Sequence, residues 1–351
     1  MKIAIVGAGI SGLAAGRELA KAGHEVIVVE KSRGFGGRMA TRYAGKDLKL
    51  RIDHGATHFT AHHPDFKALV DELAQKGLVQ PWGEAFRYHT GHEFLLTDPV
   101  AEPATWTSTQ GMNRIGRHLA RLCDVRLQTK AGGLTYFGEN RSRKRAWMLN
   151  LSTSEVLEAD AVIISAPAPQ AMGILGMTQD ETDTLKMIRE IDEVTYSPSL
   201  TYLLHYQGAD VPGWQGVECE NSPISFISNE SAKRAETGGL TLTLHASADF
   251  SKRFLGAAEE VVRAELLDAL GGLIGTWAAS PTWAALHRWR YAHCENPLGK
   301  PFMERGSDYA PLALVGDCML GSTVELAYRS GLELGRHWAE RFAGRSSRNA
   351  A

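Results

Sequence analysis

The first thirty residues constrain the fold more than any other part of the sequence. Residues 2–7 form a short apolar run rich in β-branched side chains, which predicts a buried strand. Residues 13–22 favour a helix, and Gly23 marks its end. A second apolar run follows at residues 24–30 and ends in Glu30. Strand, glycine turn, helix, strand and acid, in this order, predict one βαβ unit of an open parallel sheet.

The turn in this unit has the spacing of a dinucleotide-binding motif. The motif G-x-G-x-x-G is formed by Gly7, Gly9 and Gly12. Gly7 allows a tight turn, Gly9 lets the backbone approach a pyrophosphate, and Gly12 lets the helix pack closely on the strand. The helix N-terminus offers free N–H groups and a positive dipole end to phosphates. Glu30 lies where a carboxylate accepts hydrogen bonds from ribose hydroxyls, and its charge opposes a 2′-phosphate. NAD or FAD is therefore expected rather than NADP; a purely structural glycine turn is the alternative.

The next segment, KSRGFGGRMATR at residues 31–42, carries three glycines and three arginines. Gly36 and Gly37 let the backbone pass close to a ligand, and Arg38 can reach a pyrophosphate or a flavin. The pattern GG-R-x-x-[ST], which ends at Thr41, resembles the signature of the flavin-containing amine oxidase superfamily. The resemblance implies FAD, whereas a solvated basic turn is the alternative.

The C-terminal part resembles the same superfamily. Residues 313–317 predict a strand that runs into a Gly-Asp turn, and residues 321–342 predict the start and the body of a helix. In the proteins that this resembles, the carboxylate of Asp317 meets the ribityl or phosphate region, and the helix N-terminus faces the flavin pyrimidine edge. The two ends of the chain are then expected to grip one FAD. A helix cap or turn residue is the alternative for Asp317.

Further segments extend the resemblance to nearly the whole chain. Residues 50–59 resemble the family's D-x-G-A-x-x-F turn near the flavin ring, residues 124–127 its adenine-contacting strand, and residues 161–169 its return strand. The chain most resembles bacterial renalase-like proteins of that superfamily. The residues implied to bind a noncovalent FAD are Gly7, Gly9, Ile10, Ser11, Gly12, Glu30, Lys31, Gly37, Arg38, Met39, His54, Gly55, Ala56, Val125, Pro167, Gly316, Asp317, Val324 and Glu325.

The expected fold class is α/β, with a Rossmann-like FAD-binding domain of the GR2 type and a second, mixed-sheet substrate domain. Strand-like runs at residues 199–205 and 240–245 and an amphipathic helix at residues 251–270 support the second domain. The expected boundaries are 1–60, 105–189 and 302–345 for the first domain, 61–104 and 190–301 for the second, and 346–351 for a disordered tail.

The resemblance implies an oxidase that converts dihydro isomers of NAD(P) to NAD(P)⁺ and passes the electrons to O₂, giving H₂O₂. No second G-x-G-x-x-G follows a strand, so the substrate itself is expected to be the reductant. A dihydropyridine needs no general base, because loss of a hydride leaves an aromatic cation. An amine oxidase, which would need a neutral amine and an aromatic cage, and a dinucleotide-binding protein without turnover are the alternatives.

The predicted catalytic residues are His245, Trp289 and Tyr291. His245 ends a strand-like run, and the other two alternate in HRWRY at residues 287–291. Aromatic and cationic side chains there could stack on a nicotinamide ring or contact ribose and phosphate oxygens. Core packing of Trp289 and Tyr291, and a satisfied strand end for His245, are the alternatives.

Composition narrows the function classes. The chain has 351 residues and a formal net charge of −2, which does not favour a nucleic-acid partner. The sequence contains no apolar run of about 18 residues, so no membrane-spanning helix is expected. The four cysteines lack metal-ligand spacing, so free thiols in a reducing cytoplasm are expected. Four histidines lie between residues 54 and 63, but Gly55 and Pro64 predict a turn there, and no metal site is expected.

Overall fold

A computed structural model describes residues 1–45, 50–90, 94–96, 105–137, 145–178, 182–234 and 238–344. The chain forms two compact units. Unit 1 contains Met1–Gly37, Ile115–Thr195 and Cys294–Ala351, and unit 2 contains Arg38–Arg114 and Tyr196–His293. The predicted tail at residues 346–351 lies outside the described residues. Within the described ranges, no helix combines the length and apolar character needed to cross a membrane.

The described strands are β1 Lys2–Val6, β2 Glu25–Val29, β3 Thr41–Ala44, β4 Leu50–Asp53, β5 Phe59–Thr60, β6 Gln80–Trp82, β7 Phe86–His89, β8 Phe94–Leu96, β9 Thr105–Thr107, β10 Asp124–Arg126, β11 Ala131–Tyr136, β12 Trp147–Leu151, β13 Val156–Ala159, β14 Ala161–Ile164, β15 Tyr196–Gln207, β16 Gly216–Cys219, β17 Ile224–Asn229, β18 Gly239–Ala246, β19 Trp283–Cys294, β20 Met303–Arg305 and β21 Leu312–Leu314. The α-helices are α1 Ile10–Lys21, α2 Pro64–Gln75, α3 Asn113–Leu119, α4 Ala168–Leu175, α5 Thr182–Ile191, α6 Glu230–Lys233, α7 Ala248–Phe254, α8 Glu259–Ile274, α9 Asp317–Leu320 and α10 Val324–Arg341. Short 3₁₀ helices span Ala120–Leu122 and Thr276–Ala279.

Unit 1 contains a six-stranded sheet in the order β10-β2-β1-β14-β21-β20. The first five strands pair in parallel, and β20 joins β21 in antiparallel. β1, β2 and β14 are continuous apolar runs, as expected for parallel strands that are covered on both faces. An antiparallel sheet of β11, β12 and β13 lies between β10 and β14 in the chain. The predicted α/β fold with a Rossmann-like domain is confirmed.

The two ends of the chain meet in unit 1 because α10 packs closely against α1. A Cβ on Gly331 would lie 1.9 Å from the carbonyl oxygen of Ser11. A Cβ on Gly335, one turn later, would lie 3.0 Å from the Cα of Ala15. The glycines on one face of α10 therefore allow backbone-to-backbone contact between the N-terminal and C-terminal helices.

Unit 2 is built on a seven-stranded mixed sheet in the order β19-β15-β18-β17-β16-β7-β8. β15, β18, β17 and β16 pair in antiparallel, whereas β16 and β7 are parallel. Alternate residues of β15 and β18 form a core with α8, and they include Leu200, Tyr202, Leu204, Leu240, Leu242, Leu244, Leu266 and Leu270. The intervening residues, which include Thr243 and His245, point to the opposite face. The second, mixed sheet is thus confirmed.

Two details of unit 2 differ from the sequence expectation. The helix predicted at residues 251–270 is two helices, α7 and α8, because Ala258 has an extended backbone and begins α8 as its N-cap. Residues 190–195 and 294–301, grouped by the sequence with the substrate domain, lie in unit 1, and residues 38–60 and 105–114, grouped with the FAD-binding domain, lie in unit 2. The reason is that β4 ends in Asp53, whose backbone N–H and carboxylate bind Glu230 and Arg234.

Candidate functional site

The glycine turn after β1 has the geometry that its spacing predicts. Gly7 has a φ of +104°, a left-handed conformation that favours glycine. A Cβ on Gly12 would lie 2.5 Å from the carbonyl oxygen of Gly7 and 2.5 Å from Ser165 Oγ, so glycine is needed for this close packing. A Cβ on Gly9, the N-cap of α1, would meet no atom within 4 Å. Open space therefore lies at an N-terminus that has neither a capping side chain nor an acid in its first turn.

Glu30 is buried at the end of β2, and its carboxylate binds two backbone N–H groups. Oε2 accepts a hydrogen bond from the N–H of Ala8, and Oε1 accepts one from Ser32, both at 2.8 Å. These bonds fix the glycine turn and the start of the following loop. Each oxygen keeps a lone pair that can accept a ribose hydroxyl.

The loop that follows Glu30 lies against the glycine turn. The N–H of Gly36 donates to the carbonyl of Ala8 at 2.9 Å, and Gly36 forms a β-bridge with Gly9. Gly37 has a φ of +58°, and a Cβ there would lie 3.1 Å from the Cα of Gly9. On α3, a Cβ on Gly116 would lie 2.7 Å from the backbone nitrogen of Gly36. Two glycine-rich segments and one helical glycine thus bring three stretches of backbone together.

Three other predicted cofactor residues belong to unit 1, and the structure shows only their contacts within the protein. Lys31 is exposed, and its Nζ donates to the side chain of Gln170 on α4 at 2.9 Å. Pro167 is the N-cap of α4. Val125 lies on the edge strand β10, paired with Val28. Cofactor contacts of these three residues stay predictions.

β21 leads into the Gly-Asp turn that the sequence predicts. Gly316 has a φ of +142°, and its N–H donates to Ser330 Oγ at 2.9 Å on α10. Asp317 is buried at the start of the one-turn helix α9. Its Oδ2 accepts a hydrogen bond from Ser322 Oγ at 3.4 Å. Its predicted contact with the ribityl or phosphate region stays a prediction.

The N-terminus of α10 differs from that of α1. α10 begins at Val324, and the N-cap Thr323 accepts a hydrogen bond from the N–H of Leu326 at 3.1 Å. Buried Glu325 places a carboxylate in the first turn. Fewer free N–H groups therefore remain at α10 than at α1, and its role at the flavin stays a prediction.

Arg38 lies in unit 2, where its guanidinium holds strand β19. Its Nη1 donates to the carbonyls of Tyr291 at 3.3 Å and Ala292 at 3.1 Å. The carbonyl of Arg38 accepts from the N–H of Ala56 at 2.8 Å, and a Cβ on Gly55 would lie 1.8 Å from the same oxygen. Gly55 is thus required for this contact, whereas contact of Arg38 with a pyrophosphate or a flavin stays a prediction. Met39, the next residue, is buried.

Three rings pack together in unit 2. His54 stacks on Trp289 with centroids 5.4 Å apart, and His287 lies 4.7 Å from His54 and 4.3 Å from Trp289. Trp289 Nε1 donates to the carbonyl of His54 at 2.7 Å. Burial, assisted by His287 and Arg42, lowers the pKa of His54 to about 3, and burial with Arg42 lowers the pKa of His287 to about 4. Both imidazoles are therefore neutral at physiological pH.

His245 lies on the sheet face opposite the α8 core. It pairs in register with Thr201 of β15 and with Phe226 of β17. Burial, followed by the charges of Lys233 and His293, lowers the pKa of His245 to about 4. Among the residues that the structure describes, none forms a hydrogen bond with its ring nitrogens.

Two residues of β19 share this property with His245. The ring nitrogens of His287 and the hydroxyl of Tyr291 also have no hydrogen-bond partner within the described ranges. Tyr291 packs edge-on against Tyr196, with centroids 5.8 Å apart. Trp289 differs, because its N–H already binds His54. The predicted catalytic residues thus offer two hydrogen-bonding groups and one ring face.

A buried ion cluster in unit 2 was not predicted from the sequence. It consists of Asp53, Glu230, Lys233 and Arg234, whose side chains are at most 3% exposed. Burial opposes ionisation of Glu230, but Lys233 and Arg234 hold its pKa below the ordinary value. Burial would lower the pKa of Arg234, but Asp53 and Glu230 raise it. Asp53 and Glu230 are 177 positions apart in the chain, so no local pattern could reveal their contact.

Two family models match the chain. The model of an NAD(P)-binding Rossmann-like domain matches residues 5–73. The model of the flavin containing amine oxidoreductases matches residues 86–333, which is more than half of the chain. The chain belongs to the flavin-containing amine oxidoreductase family.

Two solved amine oxidases share the fold of this family member. Cyclohexylamine oxidase from Brevibacterium oxydans gives a TM-score of 0.73 at 14% identity, over 97% of this chain and 99% of that chain. Wild-type putrescine oxidase bound to putrescine gives a TM-score of 0.69 at 15% identity, also over 97% and 99%. At identities this low, the TM-scores show a common fold and nothing more.

A curated relative matches only a short segment. The 4-hydroxybenzoate brominase (decarboxylating) of Marinomonas mediterranea is 45% identical over 53 residues. The match covers 15% of this chain and 10% of that protein. The chain thus spans about a tenth of the length of this curated relative.

FAD is the cofactor typical of this family. The glycine turn fits that cofactor. Open space at Gly9, the uncapped N-terminus of α1 and the carboxylate of Glu30 are what a pyrophosphate and a ribose require. A 2′-phosphate would bring a second anion to Glu30, and FAD has none.

Three residues that shape unit 1 were absent from the sequence prediction. Ser165 Oγ donates to the carbonyls of Val6 at 3.0 Å and Gly7 at 2.9 Å, which ties the end of β14 to the glycine turn. Gly116 and Gly331 allow close backbone contacts from α3 and α10. A glycine inside a helical segment is the signal that could have identified the last two, because glycine is unfavourable there without a packing reason.

Proposed function

We propose that the chain oxidises a dihydro isomer of NAD(P), as its resemblance to renalase-like proteins implies. The overall reaction consumes the dihydropyridine, one proton and O₂, and yields NAD(P)⁺ and H₂O₂. The observation that supports it is the set of neutral groups in unit 2. His245 and His287 are uncharged imidazoles, and with Tyr291 they lack hydrogen-bond partners among the described residues.

These groups suit a nicotinamide ring. A neutral imidazole offers one donor and one acceptor, and the carboxamide of a nicotinamide offers an NH₂ group as donor and a carbonyl oxygen as acceptor. Trp289 is held by its N–H on His54, so it can present its ring face to a flat substrate. We therefore propose that His245, Trp289 and Tyr291 contact the substrate and orient it.

The same groups suit a reaction without a general base. When bound, FAD supplies the hydride acceptor, at its N5 atom. A dihydropyridine that loses a hydride becomes an aromatic cation, so no proton has to be removed from the reacting carbon. An imidazole with a pKa of about 4, like that of His245, is a weak base at physiological pH. The chain's contribution is then to bind the ring, hold its orientation and exclude water.

Amine oxidation is the second candidate, and the family name and the two amine oxidases of like fold favour it. An amine that arrives protonated has to lose its proton before it reacts as the neutral amine, and it would favour a base or a carboxylate that lacks a cationic partner. The carboxylates of Asp53 and Glu230 are both bound to Lys233 and Arg234. Histidines of low basicity and internally paired carboxylates therefore suit the uncharged ring of a dihydropyridine better than an amine that has to lose a proton.

Anaerobic reduction of the purified holoenzyme tests the proposal. A 1,2- or 1,6-dihydro isomer of NAD(P) is expected to bleach the visible flavin band, and air is expected to restore it with one H₂O₂ per substrate. Ordinary NADH and a panel of primary amines serve as comparisons. Rapid bleaching by a simple amine, with none by the dihydropyridines, would refute the proposal. Indifference to every donor would instead support a dinucleotide-binding protein without turnover.

A further inference from the structure

The buried ion cluster of Asp53, Glu230, Lys233 and Arg234 does not bind the substrate or take part in the hydride transfer of the proposed reaction. Its two acids and two bases balance in charge. Lys233 Nζ donates to Glu230 Oε1 at 2.6 Å, to the carbonyl of Thr57 at 2.9 Å and to Asp53 Oδ2 at 3.4 Å. All three protons of the ammonium therefore have acceptors.

The cluster holds the backbone of residues 51–57 at three points. Arg234 Nη1 donates to the carbonyl of Arg51 at 2.6 Å. Glu230 Oε2 accepts from the N–H of Asp53 at 2.9 Å, and Lys233 binds the carbonyl of Thr57. This segment contains His54, Gly55 and Ala56, which are three of the predicted cofactor residues of unit 2.

The cluster also fixes a second stretch of backbone. Arg234 Nε donates to the carbonyl of Thr109 at 3.1 Å, and Asp53 Oδ1 accepts from the N–H of Met112 at 2.9 Å. Apolar side chains of equal volume can often replace a buried ion cluster without loss of stability. They cannot bind backbone carbonyl and N–H groups, so directed hydrogen bonds are what this cluster adds.

We propose that Lys233 and Arg234 are positioning residues, which hold the turn from Asp53 to Thr57 in the conformation that substrate oxidation requires. The inference rests on the proposed function. Neither residue is assigned a contact with substrate. Each acts through the backbone of the turn and, in the case of Lys233, through the field that it exerts on neighbouring imidazoles.

The charge of Lys233 acts on two histidines, His58 and His245. Strand β18, which carries His245, is also bound to the cluster. The N–H of Thr241 donates to Ser231 Oγ of α6, Thr243 Oγ1 donates to the carbonyl of Asp53, and His245 is the next residue on that face.

Burial is the main cause that lowers the pKa of His58 to about 3 and that of His245 to about 4, and Lys233 is the next cause for both. The other titratable groups that act on these two imidazoles are His293, which acts on His245, and His245 itself, which acts on His58. Displacement of the ammonium is thus detectable without any substrate.

The double variant Lys233→Met with Glu230→Gln tests the proposal, because it removes one cation and one anion and keeps the cluster neutral. Lys186→Met is the matched control. Lys186 pairs with Asp183 three positions away, as Lys233 pairs with Glu230, but on an exposed helix of unit 1. Lys233→Arg, which keeps the charge, is the conservative variant.

The measurements are the FAD content of the holoenzyme, kcat and KM for a dihydro-NAD isomer, and the NMR titration of ¹³C-labelled histidine rings. The double variant is expected to retain FAD and to lose at least tenfold in kcat, with a change in KM below threefold, since small displacements slow chemistry strongly. The titrations of His58 and His245 are expected to move up in pH. Lys233→Arg is expected to restore these titrations and part of kcat, and Lys186→Met to match wild type.

Wild-type kcat and unmoved histidine titrations in the folded double variant would overturn the proposal. If the double variant does not fold, Lys233→Arg tests the proposal, because arginine keeps the charge but places its N–H donors differently. A wild-type kcat in Lys233→Arg counts against positioning, and a reduced kcat with unmoved histidine titrations supports it. A wild-type enzyme that does not oxidise dihydropyridines refutes the proposed function instead. In that case the histidine titrations and the flavin spectrum of the variants still show whether the cluster positions the turn.

Discussion

Replacement of Gly331 by alanine tests the contact that joins the two ends of the chain. The new Cβ would lie 1.9 Å from the carbonyl oxygen of Ser11 and 2.6 Å from its carbon. Non-bonded C···O contacts in proteins lie at about 3.3 Å or more. Because the atoms that clash belong to the backbone, no side-chain rotation relieves them, and α1 and α10 have to separate by roughly 1 Å or more.

The expected cost follows from two opposing effects. Overpacking of this kind destabilises by about 1–3 kcal/mol, occasionally more. Alanine gains about 1 kcal/mol over glycine inside a helix. With the clash at the severe end, we expect Gly331→Ala to lower the free energy of unfolding by about 2 kcal/mol. FAD affinity is expected to fall as well, because α1 carries the N–H groups proposed to bind the pyrophosphate.

Urea unfolding of the apoprotein, followed by tryptophan fluorescence, measures the stability change, since Trp338 on α10 is fully buried. Titration of the apoprotein with FAD measures the affinity. Gly173→Ala in α4 of the same unit is the matched control, because its Cβ would meet no atom within 4 Å. The control is expected to gain up to about 1 kcal/mol. If Gly331→Ala is as stable as Gly173→Ala and binds FAD like wild type, the reasoning about the α1–α10 contact is wrong.

Three further predictions concern charge and binding. The lowered pKa values of His54, His245 and His287 mean that the unfolded state takes up more protons between pH 6.5 and about 4, so stability is expected to fall as the pH drops through that range. The slope is at most about 1.4 kcal/mol per pH unit for each histidine, and urea midpoints that stay constant from pH 6.5 to 4.5 would contradict it. His245→Phe keeps a ring and removes the nitrogens that are proposed to bind the substrate. It is expected to lower kcat/KM for a dihydro-NAD isomer by about 10- to 100-fold at unchanged FAD content, and an unchanged kcat/KM would exclude His245 from substrate binding. Glu30→Ala leaves the backbone N–H groups of Ala8 and Ser32 without their acceptor and is expected to weaken FAD binding at least tenfold. Equal affinity by titration would show that the carboxylate does not serve the ribose.

The parts of the fold that the sequence predicted well are those specified by neighbouring residues. β1, α1 and β2 begin and end within three residues of their predicted positions, because apolar periodicity and glycine spacing act over a few residues. The strand at residues 161–164 and the helix after the Gly-Asp turn were predicted for the same reason. The break between α7 and α8 was missed, although Gly256 lies between them as a residue that disfavours a continuous helix, and the backbone at Ala258 is extended.

In the candidate site, too, the features set by neighbouring residues were predicted and those set by distant residues were not. The spacing of Gly7, Gly9, Gly12 and Glu30 identified a dinucleotide turn because the chemistry lies within one βαβ unit. Contact of Arg38 with a ligand stays a prediction, and the sequence could not show that its guanidinium binds carbonyls of β19, about 250 residues further along the chain. A residue type and its neighbours indicate what a side chain can bind, but the partner depends on which distant strand the fold brings to it.

By itself, the sequence determined the Rossmann-like unit, the FAD-type glycine turn and the family, because short-range spacing encodes strand, turn and helix directly. Only the tertiary structure decided that Asp53 belongs to a four-charge cluster and that His245 is neutral. Those properties depend on burial and on charges brought together from segments far apart in the chain. Desolvation and long-range contact exist only in the folded chain, so no local pattern of residues can specify them.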